Sequence, residues 1–350
     1  MENSSKKQMI VFIIIAYGLT YLMGIPMYFG FKQGVDLSVF PLAQMLYPAM
    51  GVVVGKLLYE KEKAMPKAAF IVAIITTVIS VILSIVSIIA PMQDIEINGM
   101  TIGVYYLIAQ YILIIFCVVA YILFWIAGKE KRENVGMERH NIKTSILMVI
   151  LFIFLYFIRI IFAYVIDMLL YGSTINDLLD WFAIFKDPIT LINIAALPVN
   201  FFFVFLCFWG EEYGWRYYLT PALQKKFGLR LGVIILGVVW GLWHLPIDFM
   251  YYTTTTGLQM QVNQIVTCIA LGIFFTYAYM KTNNIWVPVI LHFLNNNLIP
   301  IITATYTSDA LENQSVEWSQ IPISIVLSLV FVVFIFSKEF NEKKKVEDEA

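Results

Sequence analysis

The sequence predicts an all-α fold: a polytopic bundle of about ten transmembrane helices, with both termini in the cytoplasm. Of the 350 residues, 60% are apolar and only 13% are charged, whereas soluble domains carry about 25% charged residues. The mean hydropathy is +0.80. In addition, ten apolar stretches reach or approach the roughly 20 residues that a helix needs to cross a bilayer.

Each apolar stretch is assigned to one span, because only helices satisfy the backbone in lipid at this length. The first stretch, 9–31, follows Lys6 and Lys7 as a secretion signal would. It is too long for a signal core, however, and it lacks a small-residue cleavage site. The other predicted spans are 38–59, 68–91, 101–127, 144–171, 189–210, 229–248, 260–280, 285–303 and 318–336.

The lysine and arginine residues set the predicted orientation. With the N-terminus inside, 19 of the 23 basic residues fall in cytoplasmic segments, as the positive-inside rule requires. Lys32 and Lys186 fall outside, and Arg159 and Arg216 fall within spans. A different number of spans would scramble this distribution, so the sequence predicts ten spans with both termini inside.

The chain is predicted to form one membrane domain over 1–337, because no repeat and no flexible linker divides it. Its motif-bearing core covers about 189–303. The segment 338–350 has mixed charge, and we expect it to form a solvated, disordered cytoplasmic tail. The three cysteines, Cys117, Cys207 and Cys268, lie in apolar stretches and indicate neither a disulfide framework nor a zinc finger.

Charged side chains are costly within a membrane helix and therefore mark candidate functional sites. The first cluster contains Glu211, Glu212 and Arg216, in a helix predicted to run from about residue 190 to residue 219. At 100° per residue, Glu212 and Arg216 share one face and can pair, whereas Glu211 points about 100° away from Glu212. One carboxylate is thus neutralised and the other is left free. The simpler alternative is a structural ion pair with a spare acid at a water-exposed helix end.

Two further clusters contain the histidines that fall in spans. Trp240 and His244 lie in the seventh span, and His292 and Asn296 lie four residues apart on one face of the ninth. Counted at 1.5 Å per residue from the inner basic residues, Glu211, His244 and His292 lie about 21, 21 and 16 Å into the membrane. A lone histidine in an apolar helix is more often a packing residue, but three polar groups at one depth favour a shared site.

These side chains suit hydrolysis. A carboxylate can take a proton from water, and a histidine can share that water or protonate the leaving group. A His–Asn pair can donate hydrogen bonds to a developing oxyanion. Burial in the membrane excludes bulk water and strengthens each of these interactions. The residues therefore predict a hydrolytic site assembled from three helices.

The same residues resemble the signature of the CPBP family of intramembrane proteases, also called the ABI or CAAX-protease family. The family pattern consists of three motifs on separate helices: Glu-Glu-x-x-x-Arg, Phe-x-x-x-His and His-x-x-x-Asn. The resemblance covers about residues 205–297. The chain carries these motifs as Glu211-Glu212-Tyr-Gly-Trp-Arg216, Trp240-Gly-Leu-Trp-His244 and His292-Phe-Leu-Asn-Asn296.

The resemblance implies a glutamic-type mechanism and a role for each motif residue. Glu211 and His244 would activate water, and His292 and Asn296 would hold the oxyanion. The Glu212–Arg216 pair would support the site as an ion pair.

Two positions depart from the family pattern. Trp240 stands where the family has Phe, which keeps an aromatic ring at that position. Tyr217 stands where a Gly commonly follows the arginine. The second departure bears on the shape of the pocket, and so on the choice of substrate, rather than on the chemistry.

The resemblance implies an intramembrane endopeptidase acting on a membrane-bound peptide or protein, in bacteriocin or pheromone maturation or in self-immunity. The alternative is a non-proteolytic immunity or scaffold protein that keeps the fold and works by binding. A transporter would favour paired repeats with broken helices in both halves, whereas the polar residues here are concentrated in the second half.

We expect no metal cofactor, although Glu211, His244 and His292 could form a His₂Glu zinc site with an open position for water. Such sites usually place two ligands on one helix, and here each candidate ligand comes from a different helix. The expected partners are the lipid bilayer and a membrane-bound peptide or protein substrate, with no nucleic acid. Lysine outnumbers arginine 18 to 5, which favours an AT-rich bacterial genome and a multi-pass protein of the bacterial cell membrane.

Overall fold

A computed structural model describes residues 2–97, 100–305 and 312–341. Within these ranges, ten apolar helices follow the ten predicted spans in order. Eight of them are long and apolar enough to cross a membrane, and the last two are shorter. The chain is therefore a polytopic helical membrane protein. The helices are α1 (Ser4–Gln33), α2 (Val39–Tyr59), α3 (Lys67–Ile89), α4 (Val104–Ile126), α5 (Ile142–Tyr171), α6 (Pro188–Phe227), α7 (Leu229–Met250), α8 (Gly257–Thr282), α9 (Trp286–Ile302) and α10 (Gln320–Phe336).

The sixth helix is longer than predicted. The predicted span ended at residue 210 and the predicted helix at residue 219, but α6 continues to Phe227 and contains 40 residues. It includes a π-helical segment, Tyr213–Leu219, and it ends at Gly228, whose φ is +83°. The helix continues through Pro221, which stands in the first turn of the α-helical segment Thr220–Phe227, and the charged motif before it finds partners inside the bundle. The first motif therefore lies within a helix and not at its end.

Helix α1 also contains a π-helical segment, Ile14–Gly18, and uses it to contact the motif helices. The carbonyl oxygen of Ala16 accepts a hydrogen bond from Trp243 Nε1 at 2.9 Å. The Phe12 ring meets the Trp215 ring edge-on, with centroids 5.8 Å apart. The first helix thus supports two tryptophans that flank motif residues of α6 and α7.

Two glycines of α7 allow this helix to pack closely against α8. A Cβ atom placed on Gly237 would lie 2.4 Å from the Cα atom of Ile269, and one placed on Gly241 would lie 2.7 Å from the Cα atom of Ile265. No real Cβ atom fits at such distances, so only glycine permits this approach. Small residues at helix contacts are typical of membrane bundles. The contact fixes the helix that carries the second motif.

Two short elements outside the spans were not predicted. Strands β1 (Ile95–Ile97) and β2 (Met100–Ile102) form an antiparallel hairpin. The amphipathic helix Ile175–Ala183 connects α5 to α6 and begins with a capping box formed by Thr174 and Asp177. Both elements lie between helices whose order and number were predicted.

The prediction of a disordered tail is wrong for its first residues. Lys338–Phe340 form a 3₁₀ turn, in which Glu339 lies 2.8 Å from Lys281 of α8. The ring of Phe340 is 1% exposed and belongs to the main apolar core. An ion pair and a buried ring therefore hold this segment against α8. The rest of the predicted tail, 342–350, lies outside the described residues, and both the single domain over 1–337 and the orientation stay predictions.

Candidate active site

The first motif lies where α6 changes from α-helical to π-helical, between Glu212 and Tyr213. Glu212 and Arg216 are fully buried. Arg216 Nη1 donates to Glu212 Oε1 at 3.0 Å, and Nε lies 3.0 Å from Oε2 without the alignment of a hydrogen bond. The guanidinium carbon also lies 4.0 Å from the centroid of the Trp240 ring. The ion pair predicted from the spacing is confirmed.

Two tryptophans hold the carboxylate of Glu211, which is 2% exposed. Trp240 Nε1 donates to Oε2 at 2.8 Å, and Trp215 Nε1 donates to the same oxygen at 3.3 Å. Among the described residues, none donates a hydrogen bond to Oε1. The second acid is thus separate from the ion pair, as helix phase predicted, with one oxygen fixed and the other available.

Neither indole donor was predicted from the sequence. Trp215 follows Glu211 by four residues on the same helix, a spacing that brings side chains together. Trp240 was interpreted as a substitute for a phenylalanine ring, although an indole also carries an N–H. Both signals were present in the sequence, but neither showed that the two donors share one carboxylate oxygen.

His244 lies at a break in α7. The helix Leu229–Trp243 ends there, and the short helix Leu245–Met250 begins with Pro246 in its first turn. Proline lacks the N–H that would continue the helical hydrogen bonds. His244 Nδ1 lies 2.9 Å from the carbonyl oxygen of Trp240. Because a carbonyl oxygen only accepts, Nδ1 carries the proton, and Nε2 of the neutral ring keeps its lone pair.

His292 pairs with Glu212, for which the helix spacing predicted only Arg216 as a partner. Its Nδ1 lies 2.8 Å from Glu212 Oε1, so this carboxylate contacts cationic or donor groups from both α6 and α9. An ionised carboxylate only accepts, and Nδ1 of His292 is therefore the donor. Nε2 can donate as well only when both ring nitrogens carry a proton.

Asn296 lies one turn after His292 on α9, and its neighbours in sequence differ in role. Asn295 Nδ2 donates to Asn296 Oδ1 at 3.0 Å, which leaves the Nδ2 group of Asn296 as a donor. Asn297 Nδ2 instead donates to the carbonyl oxygen of Phe293 on its own helix at 2.9 Å. The orientation of the Asn296 amide therefore depends on Asn295, whereas the side chain of Asn297 donates to the backbone of its own helix.

The three motifs meet at Trp240. Its ring centroid lies 6.1 Å from that of His244 and 5.6 Å from that of His292. Its N–H reaches Glu211, and its ring lies against Arg216. The convergence predicted from depth in the membrane is therefore present in the structure, with the aromatic residue of the second motif at its centre.

Tyr217 does not lie with these residues. Its ring stacks on Tyr213, with centroids 4.6 Å apart, and Lys56 Nζ lies 5.2 Å from the same ring. The hydroxyl of Tyr213 in turn donates to the carbonyl oxygen of Val135 in the loop after α4. The departure from the family pattern at this position therefore affects packing beside that loop rather than the surroundings of Glu211.

The alternative zinc set of Glu211, His244 and His292 does not fit the arrangement of the side chains. Within the described ranges, no three His, Cys, Asp or Glu side chains are placed to hold a metal ion.

Comparison with known proteins bears on the same segment. Residues 193–298 match the family model described as type II CAAX prenyl endopeptidase, Rce1-like. A CAAX prenyl protease 2 of Methanococcus maripaludis is 29% identical over 108 residues, which cover 29% of this chain and 40% of that relative. The chain thus spans about two fifths of the length of this curated relative, and no solved structure matches. The motif-bearing segment of the chain is thus similar to type II CAAX prenyl endopeptidases over residues 193–298.

Proposed function

We propose that this protein is an intramembrane endopeptidase that hydrolyses a peptide bond in a membrane-associated peptide or protein. The observation that carries the proposal is that Trp240 fixes one polar atom of Glu211 and one of His244. Each residue is left with an acceptor that has no described partner, Oε1 in the acid and Nε2 in the imidazole. Two such acceptors in a buried site can position a water molecule and take its proton.

The remaining motif residues suit the other half of the reaction. As the water oxygen bonds to the carbonyl carbon, the carbonyl oxygen gains negative charge, and Asn296 Nδ2 and His292 Nε2 would donate to it. When the C–N bond breaks, the proton taken from water passes to the leaving amine. Glu212 would keep His292 oriented, and Arg216 would neutralise Glu212.

The test compares membrane and secreted peptides from cells that carry wild-type protein, the Glu211→Gln variant or a deletion. Glutamine keeps the shape of the side chain and cannot act as a base, so we expect peptides to accumulate uncleaved in the variant as in the deletion, at normal protein level. If the Glu211→Gln variant fully complements the deletion strain, the proposal is contradicted. That outcome would favour a non-proteolytic immunity or scaffold function.

We further propose that the reaction needs no metal. The lack of fit to a zinc set supports this, and a carboxylate with an imidazole can activate water. The measurement is elemental analysis of purified, active protein together with its activity after exhaustive chelation. Near-stoichiometric zinc, whose removal abolishes activity and whose return restores it, would refute a metal-free mechanism.

The proposed location is a bacterial cell membrane, and the proposed substrates are peptides such as bacteriocin or pheromone precursors. The excess of lysine over arginine supports a bacterial source, and the curated relative comes from a prokaryote. The name of that relative refers to prenylated substrates. For this chain, we propose substrates without a prenyl group.

A further inference from the structure

A pocket of about 520 Å³ lies between the loop that joins α2 to α3 and the end of α4, on the side of the bundle that is predicted to face the cytoplasm. Its volume falls in the range of about 300–1,000 Å³ that is typical of ligand sites. The ring of Phe70 at the start of α3 meets the ring of Phe124 at the end of α4 edge-on, with centroids 6.3 Å apart. Asn134 Nδ2, in the loop after α4, donates to the carbonyl oxygen of Ala64 at 3.0 Å. Described contacts therefore hold the two walls of the pocket together.

The polar side of this pocket is strongly basic. Four of the lining residues are lysines, namely Lys61, Lys63, Lys67 and Lys131. Lys63 lies 3.5 Å from Glu60, whereas the other three lysines form no ion pair within the described ranges. Glu62 is the acid among the described lining residues, and it is exposed and pairs with none of the four. The pocket therefore carries an excess of positive charge, which a bound anion would offset.

The other side of the pocket is apolar and continues into the membrane. Leu123 and Ile126 of α4 line it, and the side chain of Ile126 is 75% exposed. One turn farther toward the middle of the membrane, Ile122 on α4 and Ile71 on α3 are also exposed. Residues three or four apart share one helix face, so this apolar wall continues the outer faces of α3 and α4. A small soluble anion would leave the wall unused, whereas an anion that carries apolar chains would contact both sides of the pocket.

From this combination we propose that the pocket binds the head group of an anionic phospholipid, with its acyl chains along the outer faces of α3 and α4. Basic pockets between transmembrane helices on the cytoplasmic side suit such head groups, and lysine binds phosphate as a point charge. None of the described residues that line the pocket belongs to the three motifs. The lipid site is therefore separate from the candidate active site, and its existence does not depend on the proposed peptidase function.

The experiment measures lipid binding to the purified full-length protein in detergent by native mass spectrometry. The protein is titrated with phosphatidylglycerol or with phosphatidylcholine that has the same acyl chains, so that the two lipids differ in net charge and not in apolar area. Inorganic phosphate and glycerol phosphate are added as soluble competitors. We expect one phosphatidylglycerol to bind at much lower concentration than phosphatidylcholine, and we expect neither soluble phosphate to displace it at comparable concentration.

Removing the three lysines without an ion pair should abolish this preference. A lysine near the membrane surface contributes about fivefold to the affinity for an anionic lipid, so the triple variant Lys61→Gln, Lys67→Gln, Lys131→Gln should bind phosphatidylglycerol roughly a hundredfold more weakly. The corresponding triple change to arginine keeps the charge and should keep most of the affinity. Size-exclusion chromatography verifies that each variant is folded.

Two further variants separate the pocket from the general positive charge of this side of the protein. The triple variant Lys143→Gln, Lys225→Gln, Lys226→Gln removes three exposed lysines of the predicted cytoplasmic side that do not line the pocket, and it should keep the affinity within about twofold. Ala68→Trp fills the pocket from the exposed first turn of α3 without a change in charge, and it should weaken phosphatidylglycerol binding as the first triple variant does.

Several results would overturn the proposal. Equal binding of the two lipids would show that charge does not select the ligand. Equal losses in the two glutamine triple variants, or full affinity in Ala68→Trp, would show that binding depends on diffuse surface charge and not on the pocket. Displacement by inorganic phosphate or glycerol phosphate at the concentration of the lipid would identify a site for soluble anions.

Discussion

Trp240→Phe is the most direct test of how the site is held together. Phenylalanine keeps an aromatic ring beside Arg216 and the two imidazoles but removes the N–H that reaches Glu211 Oε2 at 2.8 Å. A hydrogen bond to a charged group contributes about 1.5–3 kcal/mol, and each 1.36 kcal/mol is tenfold in rate. The longer bond from Trp215, at 3.3 Å, remains. We therefore expect a loss of about ten- to hundredfold in kcat/KM rather than complete inactivation.

Two matched substitutions make this prediction specific. Trp215→Phe removes the longer bond to the same oxygen, and we expect a smaller loss than for Trp240→Phe. Trp209→Phe removes an equally buried indole N–H, which donates to Met137 Sδ at 2.9 Å and not to the acid, and we expect it to leave turnover unchanged.

The assay is cleavage of the substrate found by the Glu211→Gln peptide comparison, with purified protein in detergent. Fluorescence-detected size-exclusion chromatography measures the amount of folded protein, so that a loss of fold is not counted as a loss of turnover. Wild-type turnover in Trp240→Phe, or an equal loss in Trp209→Phe, would show that the indole N–H does not position Glu211.

Three further predictions concern the donor, the ion pair and the helix contact. Asn296→Ala should lower turnover about 10²–10³-fold, as expected for a lost oxyanion donor, whereas Asn297→Ala should change it little; equal losses in cleavage assays would indicate a packing role. Arg216→Ala leaves the carboxylate of a fully buried ion pair uncompensated, so it should lower the free energy of unfolding by about 3–5 kcal/mol. Denaturant unfolding in detergent measures this, and an unchanged midpoint would contradict the prediction. Gly237→Ala places a Cβ atom against the backbone of α8 and should lower the free energy of unfolding by about 1–3 kcal/mol. The control is Gly272→Ala on the facing helix, where a Cβ atom would lie 3.7 Å from its nearest neighbour, and it should unfold like wild type.

The number, order and approximate limits of the helices could be predicted from the sequence, because lipid admits few other structures for long apolar runs. The Glu212–Arg216 pair could also be predicted, since it depends on one turn of one helix. The extension of α6 to Phe227 could not, because Lys225 and Lys226 resemble a cytoplasmic loop as much as a last helical turn. Sequence patterns therefore predicted the features that depend only on residues close together in the chain.

Contacts between helices were harder to predict. Nothing in the spacing of His292 shows that it shares Glu212 with Arg216, since that contact depends on how α9 packs against α6. The rotation of the α9 amides is likewise set by a contact between side chains, so that Asn295 and Asn297, placed symmetrically by helix phase, differ in their partners. Glu339 and Phe340 looked like part of a solvated charged tail, and their docking required a partner 58 residues away in Lys281.

The π-helical segment Tyr213–Leu219 has a consequence for how this chain lines up with its relatives. A π-helix closes its hydrogen bonds one residue later than an α-helix, so this stretch holds an additional residue within the same rise. A relative whose helix is regular here would align only with a one-residue gap after Arg216, although the motif spacing before that point is identical. Deleting Tyr218 should accordingly convert the segment to ordinary helix and leave the orientation of the following residues, Thr220–Phe227, unchanged. The number of residues in Tyr213–Leu219, and not only their types, therefore determines the kind of helix that this stretch forms.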